Sequence, residues 1–167
     1  PQIISDQNGN FTSEICNGNK KQTVRLLSWV SGRMWNDVNP RLDKLHYSLG
    51  ETCGKLTHAL INFDHSEAHG KFEWNTANAL WTEKYNHLFK KEEKEIISIF
   101  QKRFEHNLAS YKKLRQSVVH NDANDNNVIV SDDLVNPKVK AAIDYGDAIQ
   151  TQIINDVAIA TAYAIMN

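Results

Sequence analysis

The chain has 167 residues, a formal net charge of −1, 41% hydrophobic residues and 23% charged residues. This length and composition predict one globular domain, or one domain and part of another, that can bury a sizeable core. The lack of a basic surplus argues against nucleic acid and anionic membranes as partners. No apolar run approaches the roughly 20 residues of a transmembrane helix. The two cysteines, Cys16 and Cys53, are too few for a disulfide framework or a zinc site, so we expect reduced thiols in a cytoplasmic protein.

Residues 1–32 are predicted to form a small antiparallel sheet. The segment PQIISDQNGNFTSEI indicates two short strands around the hairpin dipeptide Asn8-Gly9. CNGNKK is a second turn signal, and QTVRLLSWVSG has the β-branched and bulky residues of a further strand. The pattern therefore predicts a β-meander.

Helical spacing begins after this sheet. From Pro40 to Leu60 the leucines and Cys53 fall three or four positions apart, and Pro40 suits a first helical turn. Residues 63–79, rich in His, Asn and Trp, are predicted to be a loop. The sequence therefore predicts one helix followed by a long connection.

Three further segments complete the predicted order of elements. Residues 91–115 have the periodicity of a long amphipathic helix, and residues 118–145 return to short strands and turns. A buried helix is predicted to open near Asn155 or Asp156. The order of sheet, helices, hairpin and helix predicts an α+β fold with a mainly helical second part. The residues expected on the buried side of the long helix are Ile96, Ile97, Phe100, Phe104, Leu108 and Tyr111.

A dense polar cluster separates two apolar runs in VVHNDANDNNVIV, residues 118–130. Short polar side chains are common in turns, yet this composition also fits a metal or phosphate site. An EF-hand calcium loop is disfavoured because its sixth position, normally Gly, is Asn127, and because the flanks are predicted to be strands. A transition-metal site at His120 and Asp122 is disfavoured because no H-x-H or H-E-x-x-H spacing is present.

A second motif, AAIDYGDA, follows the polar cluster. Together the segments give H-x-D-x-x-x-x-N, formed by His120, Asp122 and Asn127, and then D-Y-G at 144–146. This arrangement resembles the catalytic loop and D-F-G segment of the protein-kinase-like superfamily, and most closely the aminoglycoside phosphotransferase and choline kinase family. The shared pattern covers residues 118–162. NDNNVIV and DYGDA are similar to segments of a hydroxylysine kinase-like subgroup of small-molecule kinases.

The resemblance implies ATP and Mg²⁺ as cofactors and assigns three residues to phosphoryl transfer. Asp122 would take or orient the proton of the substrate hydroxyl. Asn127 would offer its amide oxygen to one Mg²⁺, and Asp144 would hold Mg²⁺ that bridges the ATP phosphates. Such sites act by positioning reactants and neutralising charge, which requires carboxylates and amides of this kind. The implied substrate is a small hydroxylated amine or amino-acid-like molecule.

Supporting roles are implied for five more residues. His120 would stabilise the loop rather than act as a base, Gly146 would permit the sharp turn of the second motif, and Asp156 would hydrogen-bond the loop backbone. A plain helix-start carboxylate is the alternative for Asp156. Asp125 and Asp147 are candidates for contacts to a cationic substrate, or are simply solvated.

The implied fold divides the chain into two lobes. Residues 1–32 would be the last strands and the hinge of a small lobe, and residues 33–167 a mainly helical large lobe. Ser28, Trp29 and Val30 match the hinge whose backbone hydrogen-bonds adenine in the family.

The chain also departs from the family pattern. It has no Gly-rich phosphate loop and no V-A-I-K-type lysine strand, which would precede Pro1. Since it also ends directly after VAIATAYAIM, we expect a fragment, truncated at its C-terminus and inactive alone. Some members of the subgroup are joined to a pyridoxal-phosphate aminotransferase, so a fusion of that kind is one candidate for the parent protein. Asn121, where relatives usually have Gly or Arg, removes no catalytic group.

Two alternatives to a transferase stay open at this point. The main one is a non-catalytic kinase-like module that binds nucleotide or ligand without transfer. The other is an α+β domain whose polar loop is only turn chemistry.

Overall fold

The computed structural model describes residues 1–166 and confirms the α+β class. Within these residues no helix is both long and apolar enough to cross a membrane. The helices are α1 (Asp43–Leu60), α2 (Lys91–Tyr111) and α3 (Ile154–Ile165). The strands are β1 (Ile3–Ile4), β2 (Ser13–Asn17), β3 (Lys20–Val24), β4 (Leu26–Leu27), β5 (Arg33–Met34), β6 (Gln116–Val119), β7 (Val128–Val130), β8 (Val139–Ala142) and β9 (Ile149–Gln152).

The N-terminal strands form two separate antiparallel pairs. The predicted hairpin around Asn8-Gly9 is wrong, because β1 pairs with β4 and β2 pairs with β3. The Asp6 carboxylate accepts hydrogen bonds of 2.8 Å from the backbone N–H groups of Asn8 and Asn10. The turn is therefore closed by its own side chain, and the strands beside it find other partners. The turn in CNGNKK joins β2 to β3 as predicted, whereas QTVRLLSWVSG is divided between β3 and β4.

The hydrophobic core lies entirely in the second part of the described chain. The first buried residue is Trp35, and the strands before it are exposed. Helix α1 packs against α3, β6 and β8 and begins at Asp43, so Pro40 lies in the preceding loop. Each fully buried Leu or Val contributes roughly 1.5–3 kcal/mol relative to its exposed state. The core consists of Trp35, Val38, Leu45, Leu49, Cys53, Ala123, Val128, Val130, Ala160 and Ala164.

Helix α2 ends at Tyr111, and four of the six residues predicted on its buried side, Ile97, Phe104, Leu108 and Tyr111, are half-buried. Ile96 and Phe100 are 58% and 62% exposed, so their predicted burial is wrong. The buried residue of this helix is Gln101, whose amide pairs with Asn86 in the preceding connection. Apolar residues occupy more than one face of α2, so periodicity alone does not fix which face packs. The inward-facing residues are Ile97, Gln101, Phe104, Leu108 and Tyr111.

The connection between α1 and α2, which the structure describes throughout, contains no α-helix and no strand, in line with the loop predicted for residues 63–79. It contains two 3-10 segments, Ser66–His69 and Thr76–Leu88. Ala68 is the one buried residue within these two segments.

Two small antiparallel sheets place both motifs at one end of the fold. Strand β6 pairs with β9, and β7 pairs with both β5 and β8. The polar cluster joins β6 to β7, and the D-Y-G segment joins β8 to β9. The flanks of the polar cluster are therefore strands, as predicted, which is incompatible with the helix–loop–helix arrangement of an EF-hand.

Residues 31–33 are attached to the β7–β8 hairpin. Lys140 Nζ on β8 donates hydrogen bonds of 2.6 and 3.1 Å to the carbonyl and hydroxyl oxygens of Ser31. Arg33 donates two hydrogen bonds, of 3.2 and 3.1 Å, to the Ser131 carbonyl oxygen. Gly32 has φ +153°, and a Cβ there would overlap a backbone carbonyl of β7. Only glycine fits this close approach.

Candidate active site

The Asp122 carboxylate is oriented by two asparagine side chains. Asn127 Nδ2 donates hydrogen bonds of 2.7 Å to Asp122 Oδ2 and 2.9 Å to the Asp122 carbonyl oxygen. Asn124 Nδ2 donates to Asp122 Oδ1 at 2.8 Å. These bonds fold the polar cluster into a closed loop with a fixed carboxylate. This contact of Asn124 was not predicted from the sequence; it forms because the Asn124 backbone N–H donates to the Asp122 carbonyl oxygen at 2.8 Å, which holds the two residues in one tight turn.

Asp144 directly follows Ile143, the residue opposite Asn127 in the hairpin. Strand β7 pairs with β8 so that Val128 faces Ala142, and the next backbone N–H, of Ile143, donates to the Asn127 carbonyl oxygen at 2.9 Å. Two residues that are distant in sequence are thereby brought to the same end of one hairpin. The predicted loop and D-Y-G segment meet at this point.

The turn after β8 differs in detail from the prediction. The residue with left-handed backbone geometry is Asp144, with φ 62° and ψ 79°, and not Gly146. The N–H of Gly146 donates to Asp144 Oδ1 at 3.2 Å, and a Cβ at Gly146 would lie 3.1 Å from that oxygen. At position 146 glycine therefore permits the close approach of the Asp144 carboxylate, and the turn does not require it. Asp tolerates the left-handed region better than most residues.

The donor set fits a hard divalent cation. Within residues 1–166 neither Asn127 Oδ1 nor the second carboxylate oxygen of Asp144 accepts a hydrogen bond. Burial, and then the negative charges of Asp122 and Asp144, raise the pKa of the Asp147 carboxyl above its usual range. Carboxylate and amide oxygens with surplus negative charge suit Mg²⁺. Among these residues no three His, Cys, Asp or Glu side chains form a metal cluster, so further ligands for Mg²⁺ would be water or phosphate oxygens.

His120 is fully buried and uses both ring nitrogens. Nδ1 accepts a hydrogen bond from the Asp122 backbone N–H at 3.3 Å, and Nε2 donates to the Ile143 carbonyl at 2.9 Å. The ring lies against Tyr145, with the centroids 4.5 Å apart. Both ring nitrogens are therefore occupied by backbone groups of the protein. This arrangement fits a residue that stabilises the loop.

Asp156 connects α3 to the loop that precedes Asp122. Its carboxylate is 1% exposed and accepts hydrogen bonds of 2.7 Å from the Asn121 backbone N–H and 3.0 Å from the His120 backbone N–H. It also lies in the first turn of α3, where the helix dipole favours a negative charge. The Asp156 carboxylate therefore fits both interpretations, since it hydrogen-bonds the loop backbone and also lies at the start of α3.

Asn121 has an unusual environment. Its backbone is left-handed, with φ 65°, and its side chain is 4% exposed. Both polar atoms of the amide are buried without a hydrogen-bond partner. Such unsatisfied groups are rare in native structures.

The two candidate substrate carboxylates occupy different positions. Asp147 is half-buried and lies within electrostatic reach of Asp122 and Asp144. Asp125 is half-buried, and its backbone carbonyl accepts a hydrogen bond of 3.2 Å from the Asn36 N–H. Asp147 is thus part of the carboxylate cluster, whereas the Asp125 backbone ties the polar loop to the segment after β5.

The candidate hinge residues continue from β4. Ser28 pairs with Gln2, its N–H donating to the Gln2 carbonyl and its hydroxyl accepting from the Gln2 N–H, both at 2.8 Å. Trp29 is 87% exposed. Within the described chain the backbones of Trp29 and Val30 make no hydrogen bond. Their polar groups are therefore free for a ligand, whereas the N–H of Ser28 is occupied.

Comparison with known proteins confirms the family resemblance. The phosphotransferase enzyme family (APH) matches residues 10–167. Hydroxylysine kinase of Mus musculus is 28% identical over 158 residues, covering 87% of this chain and 42% of the relative. Hydroxylysine kinase of Bos taurus is 29% identical over 136 residues, covering 78% of this chain and 34% of the relative. The chain thus spans less than half the length of these two curated relatives.

A solved structure shows the same fold at low identity. It is that of a microcompartment-associated aminopropanol kinase, with a TM-score of 0.67 and 16% sequence identity. The superposition covers 98% of this chain and 52% of the other.

Proposed function

Since the chain belongs to the phosphotransferase enzyme family, we propose that the full-length product of its gene transfers the γ-phosphoryl group of ATP to a hydroxyl group. The acceptor is a small amine or amino-acid-like molecule. The observation that supports this most directly is the Asp122–Asn127 hydrogen bond of 2.7 Å at the end of the hairpin where Asp144 follows β8. The names of the relatives, hydroxylysine kinase and aminopropanol kinase, support the substrate class.

Asp122 is the residue that receives the substrate hydroxyl. Its carboxylate is fixed by the amide groups of Asn124 and Asn127, so it needs no rearrangement to accept a hydrogen bond from the incoming hydroxyl. In a loose phosphoryl-transfer transition state the nucleophile is only partly deprotonated, and orientation contributes most of what this residue supplies.

Asn127 and Asp144 would hold Mg²⁺ through the oxygen atoms that make no hydrogen bond in the described chain. When bound, Mg²⁺ would neutralise charge on the ATP phosphates and orient them. Asn127 would both orient Asp122 and offer an oxygen to Mg²⁺. Its Nδ2 donates a hydrogen bond to Asp122, which leaves its Oδ1 directed away from that carboxylate. His120, Gly146 and Asp156 support this geometry through the contacts described above.

The surplus of negative charge supports an ammonium-bearing acceptor. Burial raises the pKa of the Asp147 carboxyl, and the charges of Asp122 and Asp144 raise it further. A cationic group is attracted to such a surface. We therefore assign Asp147, and more weakly Asp125, to contacts with the substrate amine. Ser28, Trp29 and Val30 would contact adenine.

The remaining parts of the proposal concern the whole protein. We propose that a phosphate-binding loop and lysine outside this chain complete the nucleotide site, so that residues 1–167 alone are inactive. The free cysteines, Cys16 and Cys53, support a cytoplasmic location. A fusion to an aminotransferase stays a prediction.

ATP consumption by the full-length product tests the proposal. We would assay it with Mg²⁺ against a panel of hydroxylated amines and amino acids, beside Asp122→Asn and Asp132→Asn. The control removes the same charge from an exposed residue near the hairpin turn. Asp122→Asn should lower kcat by about 10²–10⁴, the usual value of a positioned acid–base group, and the control should not.

Each outcome has a definite meaning. Substrate-dependent turnover lost only in Asp122→Asn would support the transferase and name its substrate class. Nucleotide binding without turnover would indicate a non-catalytic binding module instead. Equal activity of both variants would remove Asp122 from the mechanism.

A further inference from the structure

A series of buried hydrogen bonds links three elements beneath the candidate site. The Tyr111 hydroxyl on α2 donates to Asn155 Oδ1 on α3 at 2.7 Å. Asn155 Nδ2 donates to Thr151 Oγ1 on β9 at 3.1 Å. The Thr151 hydroxyl in turn lies 3.0 Å from Asn75 Oδ1 and 3.1 Å from Gln152 Oε1, and donates to one of them. Both polar atoms of the Asn155 amide are therefore satisfied, and its orientation is fixed.

Burial makes these hydrogen bonds costly to break. Asn155 and Thr151 are each 3% exposed, so water does not replace a lost partner at low cost. Burial raises the pKa of Tyr111 above its ordinary value. The phenol therefore stays protonated at neutral pH and remains a donor to Asn155.

Asn155 adjoins Asp156 in the first turn of α3. Successive helical side chains point about 100° apart around the axis, so these neighbours contact different parts of the fold. Asn155 contacts α2 and β9, whereas Asp156 accepts the backbone N–H groups of His120 and Asn121. A rotation of this turn would disturb both sets of bonds together.

The hydrogen bonds of Asp156 depend strongly on the position of this helical turn, because Asp156 is a buried carboxylate with few partners. No Lys, Arg or His within residues 1–166 forms an ion pair with it. Its stabilisation comes from two backbone N–H groups and the start of α3. A buried carboxylate tolerates little displacement from such donors, because an unpaired buried charge is costly.

We propose that Tyr111 and Asn155 are positioning residues for phosphoryl transfer. By holding the first turn of α3 they fix Asp156, and through it the backbone that presents Asp122. Neither residue touches the reacting groups. The inference rests on the proposed role of Asp122, but the positioning itself is measurable without turnover.

The test compares two variants that each leave one buried amide oxygen at a contact of α2 without its donor. Tyr111→Phe leaves the buried Asn155 Oδ1 without its donor. Asn86→Ala is the matched control, because it leaves the buried Gln101 Oε1 without its donor on the same helix, and Gln101 makes no bond to α3. Thr151→Val, which is isosteric and removes the acceptor of Asn155 Nδ2, is the second variant should Tyr111→Phe not fold.

Backbone amide exchange by NMR is the first readout, on the full-length protein without substrate. Tyr111→Phe should speed exchange of the His120 and Asn121 amides about tenfold, the effect of one unsatisfied buried acceptor. Asn86→Ala should leave the exchange rates of the His120 and Asn121 amides, each measured relative to the amides of β7, at their wild-type values. Equal behaviour of the two variants at His120 and Asn121 would overturn the proposal.

Kinetics supply the second readout. Tyr111→Phe should lower kcat about tenfold and leave KM for both substrates within about twofold, because positioning acts on the transition state. A fall in kcat no larger than in Asn86→Ala would also overturn it. An unsubstituted protein with no turnover would count against the proposed function alone, since amide exchange would still decide the positioning.

Discussion

Replacing Asn121 with Gly should make the protein more stable. The buried amide of Asn121 has two polar atoms without partners, and each unsatisfied group costs roughly 1–3 kcal/mol. The backbone at φ 65° adds up to about 1 kcal/mol for a residue with a Cβ, and less for Asn than for most. Glycine relieves both. It also keeps the backbone N–H that donates to Asp156.

Two opposing effects reduce the gain from Asn121→Gly. Glycine lowers the free energy of unfolding by about 0.5–1 kcal/mol, because it increases the entropy of the unfolded chain. The removed side-chain atoms leave a small cavity, which lowers it by about 1 kcal/mol more. With each amide atom at the lower limit of about 1 kcal/mol, and with the backbone contribution, the expected net gain is at least about 1 kcal/mol in the free energy of unfolding. For a chain of this size this raises Tm by at least about 2–4 °C.

Thermal and urea unfolding of the wild type, Asn121→Gly and Asn121→Ala would measure these contributions. Alanine removes the amide but keeps the Cβ in the left-handed region, so its gain should be smaller, and the difference from Gly isolates the backbone strain. A lower Tm for Asn121→Gly would refute the reasoning, because it would mean that the amide is satisfied, for instance by buried water. An equal gain for Ala and Gly would refute only the backbone contribution.

Two further predictions concern a glycine and the cysteines. Gly32→Ala should destabilise the protein by about 2–4 kcal/mol, because its Cβ would overlap the Val130 carbonyl. Gly50→Ala in α1 has open space around its Cβ and should stabilise the protein by about 0.5–1 kcal/mol. Urea unfolding midpoints in the opposite order would contradict this. A thiol reagent at pH 8 should label Cys16 quickly and Cys53 only as fast as the protein unfolds, because Cys53 is buried and its pKa is raised to about 11 by burial and a nearby carboxylate. Rapid labelling of both thiols in native buffer would disagree with this core.

Local sequence signals were sufficient for the elements that contain the motifs. The helices were predicted close to their observed bounds because apolar spacing is a property of each segment alone. The hairpin that brings Asn127 to Asp144 was predicted because its strands are short, β-branched and adjacent in sequence. Family resemblance, rather than local pattern, directed attention to Asp156, whose contacts lie far away in the chain.

Partner choice and local backbone geometry could not be predicted in the same way. Asn8-Gly9 does form a turn, yet which strands pair depends on residues far beyond it. Helix α2 has apolar residues around much of its circumference, so the exposure of Ile96 and Phe100 follows from what packs against it. The left-handed geometry of Asp144, where glycine was expected at 146, is set by the register of β7 and β8.

The attachment of residues 31–33 to the β7–β8 hairpin determines where the molecule can bend. The ends of that hairpin present Asn127 and Asp144, so these two side chains and the attached segment belong to one hydrogen-bonded unit. Free backbone groups begin just before it, at Trp29 and Val30, which make no backbone hydrogen bond within the described chain. Any pivoting of the N-terminal strands therefore has its axis at these two residues. Such pivoting changes the separation between the strands and the hairpin but leaves the spacing of Asn127 and Asp144 constant.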